Sequence, residues 1–419
     1  MASRGLLTLP LLALLACNGG GADDDGSTGS TGTTGDTAGL PEGCDAYVEP
    51  GADDQAALQG ALLDAAEGAT VCLAEGTFTF NTEVTISQKG LTLRGQGMDK
   101  TLLDFSLQDD GANGIKITGD DVTVEGFRLV DASGDGIRAD EVSNVTFLDL
   151  YIEWTADAST ENGAYGLYPV GSDGVIIRGC KVKGASDAGL YVGQSTNILV
   201  ENSEAWGNVA GIEIENSTGA TVRNNHAHDN TGGLLIFNLP GLPVKDGKET
   251  LAYGNIIENN NAPNFAEEGT AVSSVPPGVG VMILAADFNE LRDNTIRGNK
   301  SVGVAIITYT EALFPKHDDL AFDKHSEGNF IHHNIFGNNG TDPDIIVQAL
   351  TGGLTMIPDI VYDGCDDAMK DNSSGALTNC LSENGAATYL DTASCGGMAS
   401  TDIGAVTCTH DPLPDLPAT

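Results

Sequence analysis

Basic side chains, aromatic rings and long apolar runs are all scarce in this chain. Its 419 residues carry 19 Lys and Arg against 60 Asp and Glu, a formal charge of −41. Binding to nucleic acid needs basic patches, and none is visible, so nucleic acid is excluded as a partner. Acidity of this size serves solubility instead. Only 5% of the residues are aromatic, which leaves a core to leucine and β-branched side chains. No apolar run reaches the roughly 20 residues that a membrane-crossing helix needs. Cysteine spacings that would mark a zinc site are missing too. What the chain has in excess is glycine, 55 residues of it, with short β-branched runs in between.

The longest apolar segment, "LLTLPLLALLA" at residues 6–16, follows Arg4 and has the layout of an export signal. It ends in Leu14-Leu15-Ala16-Cys17, which resembles the lipobox of bacterial lipoproteins. The resemblance implies a signal peptide over 1–17 and lipidation of Cys17. It also implies an exported bacterial lipoprotein of the outer membrane, on its periplasmic face or at the cell surface. Asn18 is not the Asp that retains such proteins at the inner membrane. The only membrane contact expected is the lipid anchor. Residues 18–40 are rich in Gly, Ser, Thr and Asp and read as a flexible linker.

Export makes disulfides permissible. Cys44 and Cys72 flank a candidate capping helix and are placed to pair. Cys365, Cys380, Cys395 and Cys408 cluster near the C-terminus, where three pairings are open. Cys180 is left over and reads as a small buried apolar residue.

A glycine followed by a leucine or β-branched residue recurs at Gly114, Gly136, Gly166, Gly189, Gly211, Gly233, Gly280 and Gly303. The intervals are 22, 30, 23, 22, 22, 47 and 23. A period in the twenties with short strands and no helical return marks a solenoid, here an all-β, right-handed parallel β-helix. One insertion, "TADASTENG", accounts for the interval of 30, and longer ones for the interval of 47. A further insertion is "TEALFPKHDDLAFDKHSEG", residues 310–328. The segment "DDQAALQGALLDAAEG" predicts an amphipathic helix that caps the N-terminal end. The expected organisation is a β-helix with its cap over 41–350, then a cysteine-containing C-terminal cap or subdomain over 351–419.

Stacked coils require uniform inward columns. Ile115, Ile137, Leu167, Leu190, Ile212, Leu234, Val281 and Val304 form one, and Ile117, Ala139, Pro169, Val192, Ile214, Ile236, Ile283 and Ile306 another. Asn202, Asn224, Asn225, Asn260, Asn294 and Asn334 are expected at the turns. The outward columns vary: Lys116, Arg138, Tyr168, Tyr191, Glu213, Leu235 and Met282 in one, with Asp140, Glu215 and Phe237 in the next. Tyrosines present flat apolar area with a polar handle. The expected ligand groove therefore comprises Lys116, Arg138, Asp140, Tyr168, Tyr191, Gln194 and Phe237, a long shallow face suited to a polysaccharide or cell-surface glycan.

The stretch "AYGLYPVGSDGVIIRGCKVKGASDAGLYVGQSTNILVENSEAWGNVAGIEIENS" resembles the repeats of mannuronan C-5 epimerases and of the wider set of carbohydrate-binding and sugar-hydrolase β-helices. It is more similar still to a bacterial group of parallel β-helix repeat proteins of unassigned activity, over roughly residues 55–310. The epimerases' catalytic Asp-Pro-His-Asp is represented here by Tyr168-Pro169-Val170-Gly171. Their catalytic His is matched by Ala188 and a charge-neutralising Arg by Gln194. The resemblance thus implies the fold without the epimerase machinery, and a polysaccharide-binding role. The alternative is a lyase, hydrolase or epimerase-like enzyme that uses Glu213, Glu215 and Asp187 as catalytic carboxyls. No cofactor is expected. Calcium on the same three acids is open, but no loop has the spacing of a calcium motif. His226 and His228 share one strand face and read as a solvated pair rather than a metal site.

Overall fold

The computed structural model describes residues 40–417. The signal segment, the lipidation site Cys17 and the linker up to residue 39 lie outside the described residues. The chain winds as a right-handed parallel β-helix with three sheets of 12, 10 and 11 strands. We call them first, second and third, in the order in which the chain visits them after its capping helix. One coil shows the pattern. Ala188–Gly193 lies in the third sheet, Thr196–Glu201 in the first and Glu204–Trp206 in the second. Each strand pairs in parallel with its counterpart one coil on.

The inward columns fall as the repeat predicts. Leu190, Ile212, Leu234 and Val281 are successive partners in the third sheet, as are Val192, Ile214, Ile236 and Ile283. All eight are buried in one continuous core. With few rings available, aliphatic stacking fills most of this interior. Large aromatics concentrate near its N-terminal end, where Phe80 stacks on Phe105 with ring centroids 4.7 Å apart.

Two long asparagine ladders, and a shorter one through Asn289, Asn329 and Asn379, bind the coils at their corners. In one, Asn208, Asn230, Asn260, Asn299 and Asn339 each pass an amide N–H to the next residue's Oδ1 at 2.9–3.2 Å. The second runs through Asn225, Asn255, Asn294, Asn334 and Asn384. Buried side-chain amides would be costly if unpaired, and here each is satisfied by its neighbour and by backbone. Asn202 and Asn224 do not join a ladder. They take left-handed backbone conformations, with φ of 52° and 55°. A Cβ on any repeat glycine from Gly114 to Gly280 would lie 2.5–3.0 Å from the next coil's carbonyl oxygen, and from Gly189 onward the ladder adds to the crowding. A Cβ on Gly211 would lie 2.7 Å from Asn230 Nδ2, and one on Gly233 would lie 2.8 Å from Asn260 Nδ2.

The predicted cap is a helix over Asp54–Asp64, with Asp53 accepting from Ala56 N at 3.0 Å. Leu58 and Leu62 face the core. Gln59 covers the open sheet edge as a strand would, accepting from Thr85 N and donating to Thr85 O at 2.9 and 3.0 Å. Cys44 and Cys72 are bonded, and the C-terminal pairs are Cys365–Cys395 and Cys380–Cys408; Cys180 is free and buried.

The expected boundary at residue 350 needs correction. Ile360–Tyr362 and Tyr389–Asp391 extend the third sheet, and Cys380–Ser382 extends the first. Residues beyond 350 therefore finish the solenoid instead of forming a separate subdomain. Their short strands and glycine-rich loops hid the continuing period. The last described residues run back along the first sheet, where Asp415 meets Arg223 at 3.0 Å.

Candidate functional site

The third sheet keeps six-residue strands in most coils, in more of them than the first sheet does, so its outer face is a broad platform. Lys116 pairs with Arg138, Arg138 with Tyr168, Tyr191 with Glu213, and Glu213 with Leu235, as the repeat predicts. Exposure changes midway. Lys116, Arg138, Asp140 and Tyr168 remain partly open. Tyr191, Glu213 and Phe237 are 2%, 2% and 1% exposed. The expectation that these three line an open groove is therefore corrected. They point outward, but the insertions fold back over them. Val272, Val275 and Phe314 pack with Tyr191, Leu235 and Phe237 in a second apolar cluster. The open face thus runs from Lys116 to Tyr168 and stops at a wall.

Acids collect at that wall. Tyr191 Oη donates to Glu215 Oε1 at 2.7 Å, and Tyr165 Oη donates to Asp187 Oδ2 at 3.2 Å. Glu213 keeps one carboxyl oxygen, Oε2, buried without a partner. Among the described residues no cation forms a salt bridge with these groups, so burial dominates and favours their neutral forms. Loss of hydration, reinforced by Glu215, raises Asp187 to about 8. Loss of hydration also raises Glu215 to about 7, against the opposing hydrogen bond from Tyr191. Glu213 is pushed well above the usual carboxylate range by burial and then by Asp187. Asp187 alone of the three keeps some solvent contact.

Two residues of the site were not anticipated. Tyr165 stacks on Tyr168 and lies against Tyr191, with ring centroids at 4.3 and 4.6 Å. Asp135 sits one coil earlier, raised by burial to about 6 although Arg138 and the Tyr165 N–H favour its charge. Both precede a glycine of the repeat. Strict alternation from the inward residue that follows each glycine would turn them inward. Gly166 breaks that alternation, because its own missing Cβ points at Val182 Cγ1, 2.3 Å away in the interior. An acid or tyrosine just before the repeating glycine was the available signal.

The rim is cationic. The Arg138 guanidinium lies 4.7 Å from the Tyr168 ring centroid and bonds Asp140 at 3.3 Å, while its Nε is buried without a partner. Lys116 Nζ is 3.9 Å from Asp140. Gln194 stands apart, in a left-handed turn after its strand, where its N–H donates to Glu215 O. Among the described residues, the groupings of side chains close enough to share a metal ion do not include Asp187, Glu213 or Glu215. Beyond the wall, the covered half of the face holds a cavity of about 460 Å³ lined by Met282, Ala305, Tyr309, Phe314 and Val361.

Residues 89–239 match the family described as the right handed beta helix region. No curated protein matches the chain in sequence. Among solved structures, it is similar to the A-module of the Azotobacter vinelandii mannuronan C-5 epimerase AlgE4. The identity is 15%, with 80% of this chain and 92% of that one covered and a TM-score of 0.53. The AlgE6 A-module of the same organism gives 16%, 79%, 80% and 0.52. PfbA, a surface adhesin of Streptococcus pneumoniae, gives 13%, 73%, 76% and 0.50. At such identities the likeness establishes the fold.

Proposed function

We propose that this chain is an exported, lipid-anchored envelope protein that binds a polysaccharide along the open part of the third sheet. The observation that carries the reading is the platform of Tyr165 and Tyr168, backed by the buried Tyr191 ring, with Arg138 and Asp140 beside it. Rings of this kind stack on sugar faces, and the charged rim orients hydroxyls. Because the face ends at the insertion wall, the end of a glycan chain meets Asp187 and Tyr165. The epimerase and adhesin names among the structural neighbours support a role at a glycan or a cell surface. The anchor is Cys17, and a Cys17→Ser chain that still incorporates lipid label would refute that part.

A second reading, a carbohydrate-active enzyme, is favoured by one observation. Asp135 and Asp187 both touch Tyr165, at its N–H and its hydroxyl, and their environments set them apart at about 6 and about 8. At neutral pH one carboxyl then holds a proton and the other has released it, the division that general acid–base chemistry on a glycosidic bond requires. A glycan array should identify the ligand, followed by assays for new reducing ends and for 232 nm absorbance on it. For a binding protein, Asp187→Asn leaves affinity intact and neither assay responds. For an enzyme, Asp187→Asn lowers turnover by orders of magnitude with affinity retained. Absence of any glycan bound through Tyr168 refutes both readings.

A further inference from the structure

The second sheet carries an arrangement of side chains that the solenoid does not need. His226 and His228 project from one short strand, with ring centroids 4.1 Å apart. Glu204 is the direct partner of His226 on the preceding coil, and Glu258 is the partner of His228 on the following one. A ligand atom from each of Glu204, His226 and His228 lies within 4.8 Å of the other two. Among the described residues, the other two groupings of side chains close enough to share an ion both include Asp323, and an internal cation already serves them: Lys370 Nζ sits 2.5, 2.6 and 3.6 Å from Asp323, Glu327 and Asp287.

The hydrogen-bond inventory at His228 is unusual. Its Nδ1 meets Asp229 Oδ2 at 2.8 Å and its Nε2 meets Glu204 Oε1 at 3.3 Å. A neutral imidazole has one N–H, so one of these nitrogens points a lone pair at a carboxylate. His226 Nε2 faces another carboxylate, Glu258 Oε1, at 3.1 Å. A divalent cation between His228 Nε2 and Glu204 removes the conflict at His228. Asp229 would take the Nδ1 proton of His228 and leave Nε2 free to bind, the carboxylate–histidine–metal relay seen in many metal sites. Lys181, 3.4 Å from Glu204, and Arg297, 2.6 Å from Glu258, neutralise the remaining charge. Trp206 lies parallel to the His228 ring, at 1° and 6.1 Å, and limits its rotation.

We propose that His226 Nε2, His228 Nε2 and Glu204 form a surface site for a zinc-class divalent ion, on a different sheet from the glycan face. Two nitrogens and one oxygen with an open fourth position suit zinc, whose tetrahedral ligand atoms stand roughly 3.4 Å apart. Small rotations of the half-buried Glu204 and His226 side chains, with His228 held by Trp206, close the present spacing to that value. Calcium prefers an all-oxygen set and is not expected to compete.

Calorimetric titration of zinc chloride into the protein at pH 7.5 tests this. One equivalent should bind, and calcium chloride should give no heat at the same site. His226→Gln with His228→Gln should abolish binding, and Asp229→Asn should weaken it by about 10–100-fold. In the unaltered protein, one equivalent of zinc should shift the ring signals of two histidines in a histidine-selective NMR spectrum. That measurement keeps the test open if the double variant does not fold. Absence of zinc binding, binding that survives the double substitution, or unchanged histidine signals would each overturn the proposal.

Discussion

Glu213 and Glu215 lie directly beside Leu235 and Phe237, in the same two columns of the third sheet, one coil apart, and all four are buried. The apolar pair does what a covered position normally does, joining the cluster under the insertions. The acidic pair is covered by the same kind of protein surface and gains no cation. The solenoid therefore accepts leucine and phenylalanine at these positions, and the carboxyls answer some other requirement. Acids at a covered position that no salt bridge among the described residues reaches are what the proposed site would explain. On the inward side there is no such contrast: Ile212 and Leu234 are interchangeable members of one column.

That inward uniformity sets the largest expected effect. Ile212→Asp and Leu234→Asp each bury an unpaired charge between coils, at a cost above about 4 kcal/mol. Both should abolish soluble folded protein, in the acidic half and the apolar half alike. If only one of the two still melts cooperatively near the parent's midpoint, the halves differ inside as well as outside.

The next effect belongs to the acidic half alone. Asp187, Glu213 and Glu215 all have folded values raised above their unfolded ones, Asp187 to about 8 and Glu215 to about 7. The folded protein thus holds protons that the unfolded chain has already released. Stability from these groups is full below about pH 4 and falls as pH rises, and the part due to Glu215 and Asp187 is lost through about pH 7 and about pH 8. The slope is at most about 1.4 kcal/mol per pH unit for each proton. Asp187→Asn with Glu213→Gln and Glu215→Gln should flatten the melting midpoint between pH 5 and pH 8. A parent midpoint already flat over that range would mean that the acids stay ionised.

Smaller still is the change at the platform. Tyr168→Ala should weaken glycan affinity by about 1–3 kcal/mol, the range for a packed aromatic anchor, and equilibrium binding to the array's best ligand measures it. Phe237→Ala, on the covered side of the wall, should destabilise the fold and leave the affinity of the folded fraction unchanged. An equal loss of affinity from both would extend the groove beneath the insertions.

The repeating parts of this molecule were legible in advance, for a physical reason. Each coil must match its neighbours, so the inward columns, the glycine period and the strand register are written many times over. The site was legible only in part. Tyr168, Arg138 and Glu213 were found because the strand register places them in one outward column. Tyr165 and Asp135 were missed because a glycine bend reverses the alternation just before the strand. The burial of Tyr191 and Phe237 was missed because it depends on where residues 261–278 and 308–328 fold. Those insertions carry no period, and their docking is a tertiary contact that local pattern does not encode. The end of the solenoid was misplaced likewise, since three-residue strands such as Ile360–Tyr362 are too short to show alternation.

The smallest expected effect is the most direct test of the contrast between the halves, and its sign is what matters. Glu213→Leu copies onto one coil what the next coil already has at Leu235. The substitution removes a buried carboxyl whose Oε2 has no partner. An unsatisfied buried polar atom costs about 1–3 kcal/mol, and leucine adds apolar contact with the same cluster that receives Leu235. Part of that gain is lost to imperfect packing of a branched side chain where an unbranched one stood. The net expectation is a chain more stable by about 1 kcal/mol at pH 7.5, read as a raised melting midpoint. The increase should shrink at pH 5, because the buried carboxyl favours its neutral form and the proton it takes up on folding costs less there. Stabilisation together with lost glycan turnover or binding would mark Glu213 as a functional acid kept against the interest of the fold. Destabilisation at both pH values would give it a structural role, and the difference between Glu213 and Leu235 would then reflect local packing alone.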